Sequence, residues 1–232
     1  MAIPLFLAMT HTEMKNCQVL PPHLAWTSWD FSPEKSHLIG FPPPPQRDAL
    51  LVLDDRFPID DQNPLPICSQ LAGYISNHGT SGILLDFQRP QTPAATEFIR
   101  TLIQALPCPV AAPASYAQDL SCPIFLPPVP PHVTPEDYLT PWNQREIWLE
   151  LALDACEITV TEQGSTIHPH AHAHPPEHSH RDQHLHCHYS IRQETDALHF
   201  YLFRTPADTA ELLADPMLAN VKKAIGLYQE LA

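Results

Sequence analysis

Short, continuous apolar runs recur along the chain and constrain its fold more than any other feature. They lack the polar–apolar alternation of strands with one solvated face, so they are typical of parallel strands that are buried on both sides. The predicted strands are Pro4–Met9, His23–Trp29, Ala49–Leu53, Gly82–Phe87, Pro109–Ala112, Pro123–Pro127, Ile147–Leu153 and Lys223–Tyr228.

Two amphipathic segments separate consecutive members of this strand series. Residues 66–78 and 92–106 place their apolar side chains at helical spacing, and they end at Gly79 and Pro107. Alternation of strand and helix predicts β–α–β units, in which two parallel strands are joined by a right-handed crossover. We therefore expect an α/β fold of the (β/α)8 TIM-type barrel class.

Proline is abundant where other helices of such a barrel would lie. The chain has 28 prolines and only 6 glycines, and the prolines include a run at 42–45 and a dense segment at 127–135. Proline breaks helices and favours stiff, extended connections. The barrel is therefore predicted to be compact or degenerate, with short or missing outer helices.

The pattern changes to strict alternation after residue 153. This change predicts a small antiparallel β insertion at 157–204, within a single domain spanning 1–232. The insertion precedes the last helix and the last strand. Its predicted elements are strands at 157–161, 184–192 and 198–204, followed by a helix at 207–214.

Charge and simple motifs exclude several functional classes. The formal net charge is −14, which argues against nucleic acids and anionic membranes as partners. No run reaches the ~18 apolar residues of a membrane span, and the six cysteines form no C-x-x-C pair. No glycine-rich nucleotide motif occurs, so no cofactor is expected to be required. A cytoplasmic location is predicted, and the oligomeric state stays open.

One segment resembles a known enzyme family. Residues 79–90 (GTSGILLDFQRP) resemble the fourth barrel strand of family-18 glycoside hydrolases, the chitinases and spore-cortex hydrolases, which carries D-x-x-D-x-D-x-E. Ser81 and Leu84 occupy the first two acidic positions, Asp86 keeps the third, and Gln88 replaces the glutamate. The insertion and the closing strand around 224–228 are also similar to that family.

The glutamine bears directly on the activity that this resemblance implies. In the family the glutamate protonates the glycosidic oxygen, while the neighbouring aspartate orients the substrate acetamide as nucleophile. An amide has no titratable proton for general-acid catalysis. The resemblance therefore implies a catalytically altered barrel that binds a glycan or small sugar-like ligand.

Active sites of such barrels lie where the strands end, and the strand ends supply the candidate residues. The catalytic candidates are Asp86, Gln88, Asp55 and Glu150. The candidate ligand-binding residues are Trp26, Trp29, Arg89, Tyr116, Tyr228 and Glu230. One alternative is an active glycoside hydrolase that uses Asp55, Asp86 and Glu150.

Histidines concentrate in one predicted loop, at 168–188. Nine of the 15 lie there, and imidazole binds zinc and other transition metals. In an extended strand His184, His186 and His188 would share one face. A transition-metal-binding protein with the barrel as scaffold is thus a second alternative. The competing interpretation is a polar, low-complexity insertion without a metal role.

Overall fold

The structure is a computed structural model that describes residues 2–34, 36–44, 48–117, 120–170, 176 and 178–232. Its strands are, in chain order, β1 (Leu5–Met9), β2 (Leu24–Trp26), β3 (Trp29–Phe31), β4 (Leu38–Gly40), β5 (Leu50–Asp54), β6 (Gly82–Asp86), β7 (Val110–Pro113), β8 (Ile124–Leu126), β9 (Ile147–Leu151), β10 (Ala155–Thr161), β11 (Gly164–His170), β12 (His180–Asp182), β13 (Cys187–Gln193), β14 (Ala197–Phe203) and β15 (Val221–Leu227).

Eight of these strands close into a parallel barrel. Their order around the barrel is β1-β15-β9-β8-β7-β6-β5-β2, and every neighbouring pair is parallel, including β2 with β1, which closes the barrel. The predicted TIM-type barrel with a β insertion is confirmed.

Both faces of the barrel strands are buried, which explains the continuous apolar runs. Alternate side chains fill the interior, where Trp148 and Phe6 pack with Leu84. The intervening side chains, such as Leu51 and Leu85, pack outward in the larger core cluster. Side chains that alternate between two apolar layers leave few polar positions in these strands, and Asp54 and Asp86 come only at the strand ends.

Two full-length helices cover the outside of β5, β6 and β7. The helices are α1 (His11–Asn16), α2 (Pro64–His78), α3 (Pro93–Ala105), α4 (Ala114–Ala117), α5 (Pro135–Leu139), α6 (Pro206–Ala214) and α7 (Tyr228–Leu231). The Asn63 and Thr92 side chains cap α2 and α3, with proline in the first turn of each. The short α1, α4, α5 and α7 agree with the predicted loss of outer helices.

The second predicted strand, 23–29, is divided in the structure. Its first part is β2 in the barrel, and Trp29 instead begins β3, which pairs antiparallel with β4. The break falls where the Thr27 amide donates to the Met9 carbonyl and the Ser28 hydroxyl accepts from the His11 amide. These bonds turn the chain away from the barrel.

The insertion is a five-stranded antiparallel sheet, in the order β11-β10-β14-β13-β12. It is larger than predicted, because His168 and His170 belong to β11 rather than to a loop. The Arg204 guanidinium is buried beneath the sheet and donates to the carbonyls of Val129 and Pro130. Within the described residues no helix is long and apolar enough to cross a membrane.

Candidate functional site

Carboxylates gather at the rim of the barrel where the strands end. Asp54 ends β5 and Asp86 ends β6, and the two residues are register partners. Both follow inward-facing residues by two positions, as does Glu150 of β9, which follows Trp148. A depression of 360 Å³, hereafter the rim groove, is lined by Asp54, Asp55, Arg56, Asp86, Gln88 and Arg89.

Gln88 is bonded directly to Asp86. Its side-chain amide nitrogen donates to Asp86 Oδ1 at 2.6 Å. Burial raises the pKa of Asp86; the Gln88 hydrogen bond lowers it, and the charges of Asp54 and Asp55 raise it further. The pair therefore presents an oriented carboxyl group and an amide, without a proton donor at position 88.

Asp55 and Arg89 hold the rim together. The Asp55 side chain is almost fully buried, and its two oxygens accept from the backbone amides of Gln88 and Arg89 at 2.8 Å each. Arg89 in turn donates to the backbone carbonyls of Asp55 and Arg56. Both residues line the rim groove, and these bonds engage Asp55 in positioning the loop that carries Gln88.

Glu150 is a rim carboxyl group that keeps its proton up to near-neutral pH. Burial, together with the charges of Asp86, Asp154 and Glu230, raises its pKa to about 7. The Tyr138 hydroxyl donates to the Pro127 carbonyl, and burial with the nearby charge of Glu150 raises the pKa of Tyr138 to about 12. A carboxyl group that is protonated near neutral pH can act as a general acid.

The remaining predicted ligand-binding residues divide into two groups. Tyr228 and Glu230 lie at the rim after β15, where Glu230 accepts from the Leu153 amide at 3.3 Å. Trp26, Trp29 and Tyr116 are only 1%, 6% and 1% exposed. These three rings are part of the core, so they do not present the open faces that a ligand-binding role would require.

Arg56 and Asp30, to which the sequence assigned no role, meet Asp54 at the rim. Arg56 contacts Asp54 at 3.1 Å and Asp30 at 3.9 Å. Strand alternation explains the position of Asp54: because Leu50 and Val52 face the barrel interior, Asp54 also faces inward, and its neighbour Asp55 does not.

The three predicted histidine ligands do not share one strand face. His184 and His186 lie in a turn before β13, and His186 has a positive φ of 48°. His186 pairs with Asp215 at 2.8 Å, whereas His188 pairs with Asp208 at 2.9 Å. Among the described residues no group of three ligands can hold a metal. His172 and His174 of the predicted loop lie outside them.

The chain resembles known proteins in its three-dimensional structure. No family model matches the chain, and no curated protein matches it in sequence. The spore cortex-lytic enzyme SleL of Bacillus cereus aligns with a TM-score of 0.57 and 9% identity, over 97% of this chain and 70% of SleL. A GH18 chitinase from Cycas revoluta, in complex with (GlcNAc)3, aligns with a TM-score of 0.55 and 9% identity, over 96% and 94%.

The chain has the fold of the family-18 glycoside hydrolases. A third structure with this fold is the chitinase-like agglutinin of Robinia pseudoacacia, with a TM-score of 0.56 and 11% identity, over 98% of this chain and 95% of the agglutinin. These likenesses concern the fold, which fits the resemblance noted in the sequence around Asp86 and Gln88. The equivalence of Gln88 with the family's glutamate stays a prediction.

Proposed function

We propose that this chain binds a glycan at the rim groove without hydrolysing it by the family's usual mechanism. The observation that carries the proposal is the hydrogen bond from the Gln88 amide to Asp86. It keeps a polar, oriented pair at the end of β6, but the Gln88 amide has no proton to give a leaving group. The rim groove, at 360 Å³, lies within the usual size range of small-molecule sites.

Two structures with this fold support a glycan as the ligand class. The Cycas chitinase was crystallised with (GlcNAc)3, and the Robinia protein is described as an agglutinin. A barrel of this shape thus accommodates N-acetylglucosamine oligomers in one relative. Polar groups at fixed positions bind sugar hydroxyls and acetamides, and Asp86 with Gln88 offers both an acceptor and an amide.

Calorimetric titration with (GlcNAc)3, combined with product analysis, tests this proposal. Wild-type protein is expected to bind the trisaccharide and leave it intact. Asp86→Asn should weaken binding at least tenfold, because a carboxylate accepts hydrogen bonds more strongly than an amide. The matched control is Asp196→Asn in an exposed turn of the insertion, which should bind as the wild type does. Equal affinity of Asp86→Asn and wild type would contradict the assignment of the rim groove.

A second candidate function is hydrolysis with Glu150 as general acid. It is favoured by the pKa of about 7 for Glu150, set by burial and by Asp86, Asp154 and Glu230. Paired carboxyl groups of unequal pKa are the usual arrangement in glycosidases. Release of shorter oligomers, with a rate that falls above pH 7 and is abolished in Glu150→Gln, would support this function. Intact oligomer at every pH would exclude it.

A further inference from the structure

We infer that Phe41, stacked on His11, is an aromatic platform for a sugar ring at the same rim. This inference rests on the proposed glycan binding and extends it to a ligand contact outside the rim groove. The ligand class is an uncharged pyranose with an apolar face, as in N-acetylglucosamine oligomers. The three aromatic residues predicted from sequence cannot serve, because they are buried.

Phe41 presents an open ring that is supported from behind. The residue is 53% exposed. Its ring lies parallel to the His11 imidazole, with centroids 3.9 Å apart and an interplanar angle of 5°. The edge contact between His11 and Trp26, at 6.1 Å and 89°, fixes the imidazole in turn. An exposed phenylalanine without such support would have to be ordered upon binding, at a cost in side-chain entropy.

The backbone around Phe41 is fixed as well. Its carbonyl accepts from Trp26 Nε1 at 2.9 Å, and its amide donates to the Ser28 carbonyl at 2.9 Å. The preceding Gly40 has a φ of 92°, and a Cβ there would lie 2.5 Å from the Ser28 oxygen. Only glycine allows the backbone at position 40 to lie this close to the Ser28 carbonyl. The two hydrogen bonds of Phe41 then hold its backbone in one place.

The platform lies on the same edge of the barrel as the rim groove. His11 begins α1 just after β1, and Trp26 ends β2, so the stacked pair lies at the C-terminal ends of these two strands. Going around the barrel, β5 and β6 follow β2. Two strand spacings, about 10 Å, thus separate β2 from the strand that carries Asp86. The stacked pair and Asp86 therefore belong to nearby sectors of one rim, and the inferred oligosaccharide contacts both of them.

The chemistry of the contact selects a sugar face. An aromatic ring carries negative charge density on its face, and the C–H groups on one side of a pyranose ring are weakly positive and apolar. Stacking therefore buries apolar surface of the ligand and leaves its equatorial hydroxyl groups free for the carboxylates of the rim groove. The two parts of the rim then contribute differently to ligand binding: Phe41 supplies apolar contact area, and Asp86 supplies hydrogen-bond acceptors.

Calorimetric titration of (GlcNAc)3 into variants at position 41 tests this inference. Phe41→Ala is expected to weaken binding about tenfold or more and to leave the melting temperature close to that of the wild type, because the ring is exposed. Phe41→Trp should retain binding within about threefold, since an indole also stacks. The control is Met217→Ala, which removes a side chain of similar exposure, 49%, next to the N-terminal end of β15.

The outcomes separate this inference from the proposed function. Binding by wild type with loss in Phe41→Ala and retention in Phe41→Trp supports both. Binding by wild type and equal binding by Phe41→Ala overturns the platform and leaves glycan binding at Asp86 intact. A wild-type protein that does not bind (GlcNAc)3 overturns the proposed function and the platform together.

Discussion

Replacing Glu150 by glutamine should stabilise the protein above neutral pH. In the folded state the pKa of Glu150 is raised from 4.5 to about 7, first by burial and then by the charges of Asp86, Asp154 and Glu230. Each pKa unit corresponds to about 1.4 kcal/mol, so the full effect would be about 3 kcal/mol. Because the carboxyl group lies at an open rim, solvent screening reduces this figure, and we expect about 1–2 kcal/mol.

The sign of the effect follows from proton binding. Below pH 4.5 the carboxyl group is protonated in the folded and unfolded states, and it favours neither by its charge. Between pH 4.5 and about 7 the unfolded state ionises first, so the folded state loses stability as the pH rises. A glutamine does not titrate. Its advantage should therefore be small at pH 4 and complete at pH 8.

Thermal and urea unfolding at pH 4, 6 and 8 measure this difference. At pH 8 Glu150→Gln should raise Tm by about 3–6 °C, given the usual change of 2–4 °C per kcal/mol at this chain length. Glu162→Gln, in the exposed turn between β10 and β11, is the matched control and should change Tm little at any pH. An equal gain at pH 4 and pH 8, or no gain at pH 8, would refute the electrostatic origin of the effect.

Three further substitutions test how the rim and the insertion are held. Asp55→Ala should cost about 2–4 kcal/mol in urea unfolding, because it leaves two backbone amides without acceptors; a loss below 1 kcal/mol would contradict the positioning role. Gly82→Ala places a Cβ 2.6 Å from the Trp148 ring at a φ of 147°, so we expect a loss of at least about 2 kcal/mol, and an unchanged Tm would show that the interior can adjust. Arg204→Met removes the bonds from the insertion to the Val129 and Pro130 carbonyls, and limited proteolysis should then cut the insertion faster than in the wild type; an unchanged digestion rate would show that other contacts suffice to dock it.

The barrel could be predicted from sequence because its strands carry a strong and simple signal. Runs such as Leu50–Leu53 and Ile83–Leu85 are apolar at every position, which only burial on both faces explains. The ends of α2 and α3 were predicted to within two residues because proline, glycine and capping side chains mark them locally.

Side-chain exposure at the rim could not be predicted in the same way. Trp26 and Phe41 both lie near strand ends, yet Trp26 is buried and Phe41 is exposed. That difference depends on how β3 and β4 fold back over β2, which is a long-range contact without a local signal. The same reason applies to His186, whose turn geometry and bond to Asp215 depend on how the insertion packs against the end of α6.

Titration of wild-type protein with (GlcNAc)3, followed by chromatography of the same sample, tests glycan binding without hydrolysis most directly. Saturable binding with an intact trisaccharide after prolonged incubation is the expected result. An absence of binding would contradict the proposed function. Release of mono- or disaccharide would show that the rim is catalytic despite Gln88, and Glu150→Gln would then identify the acid.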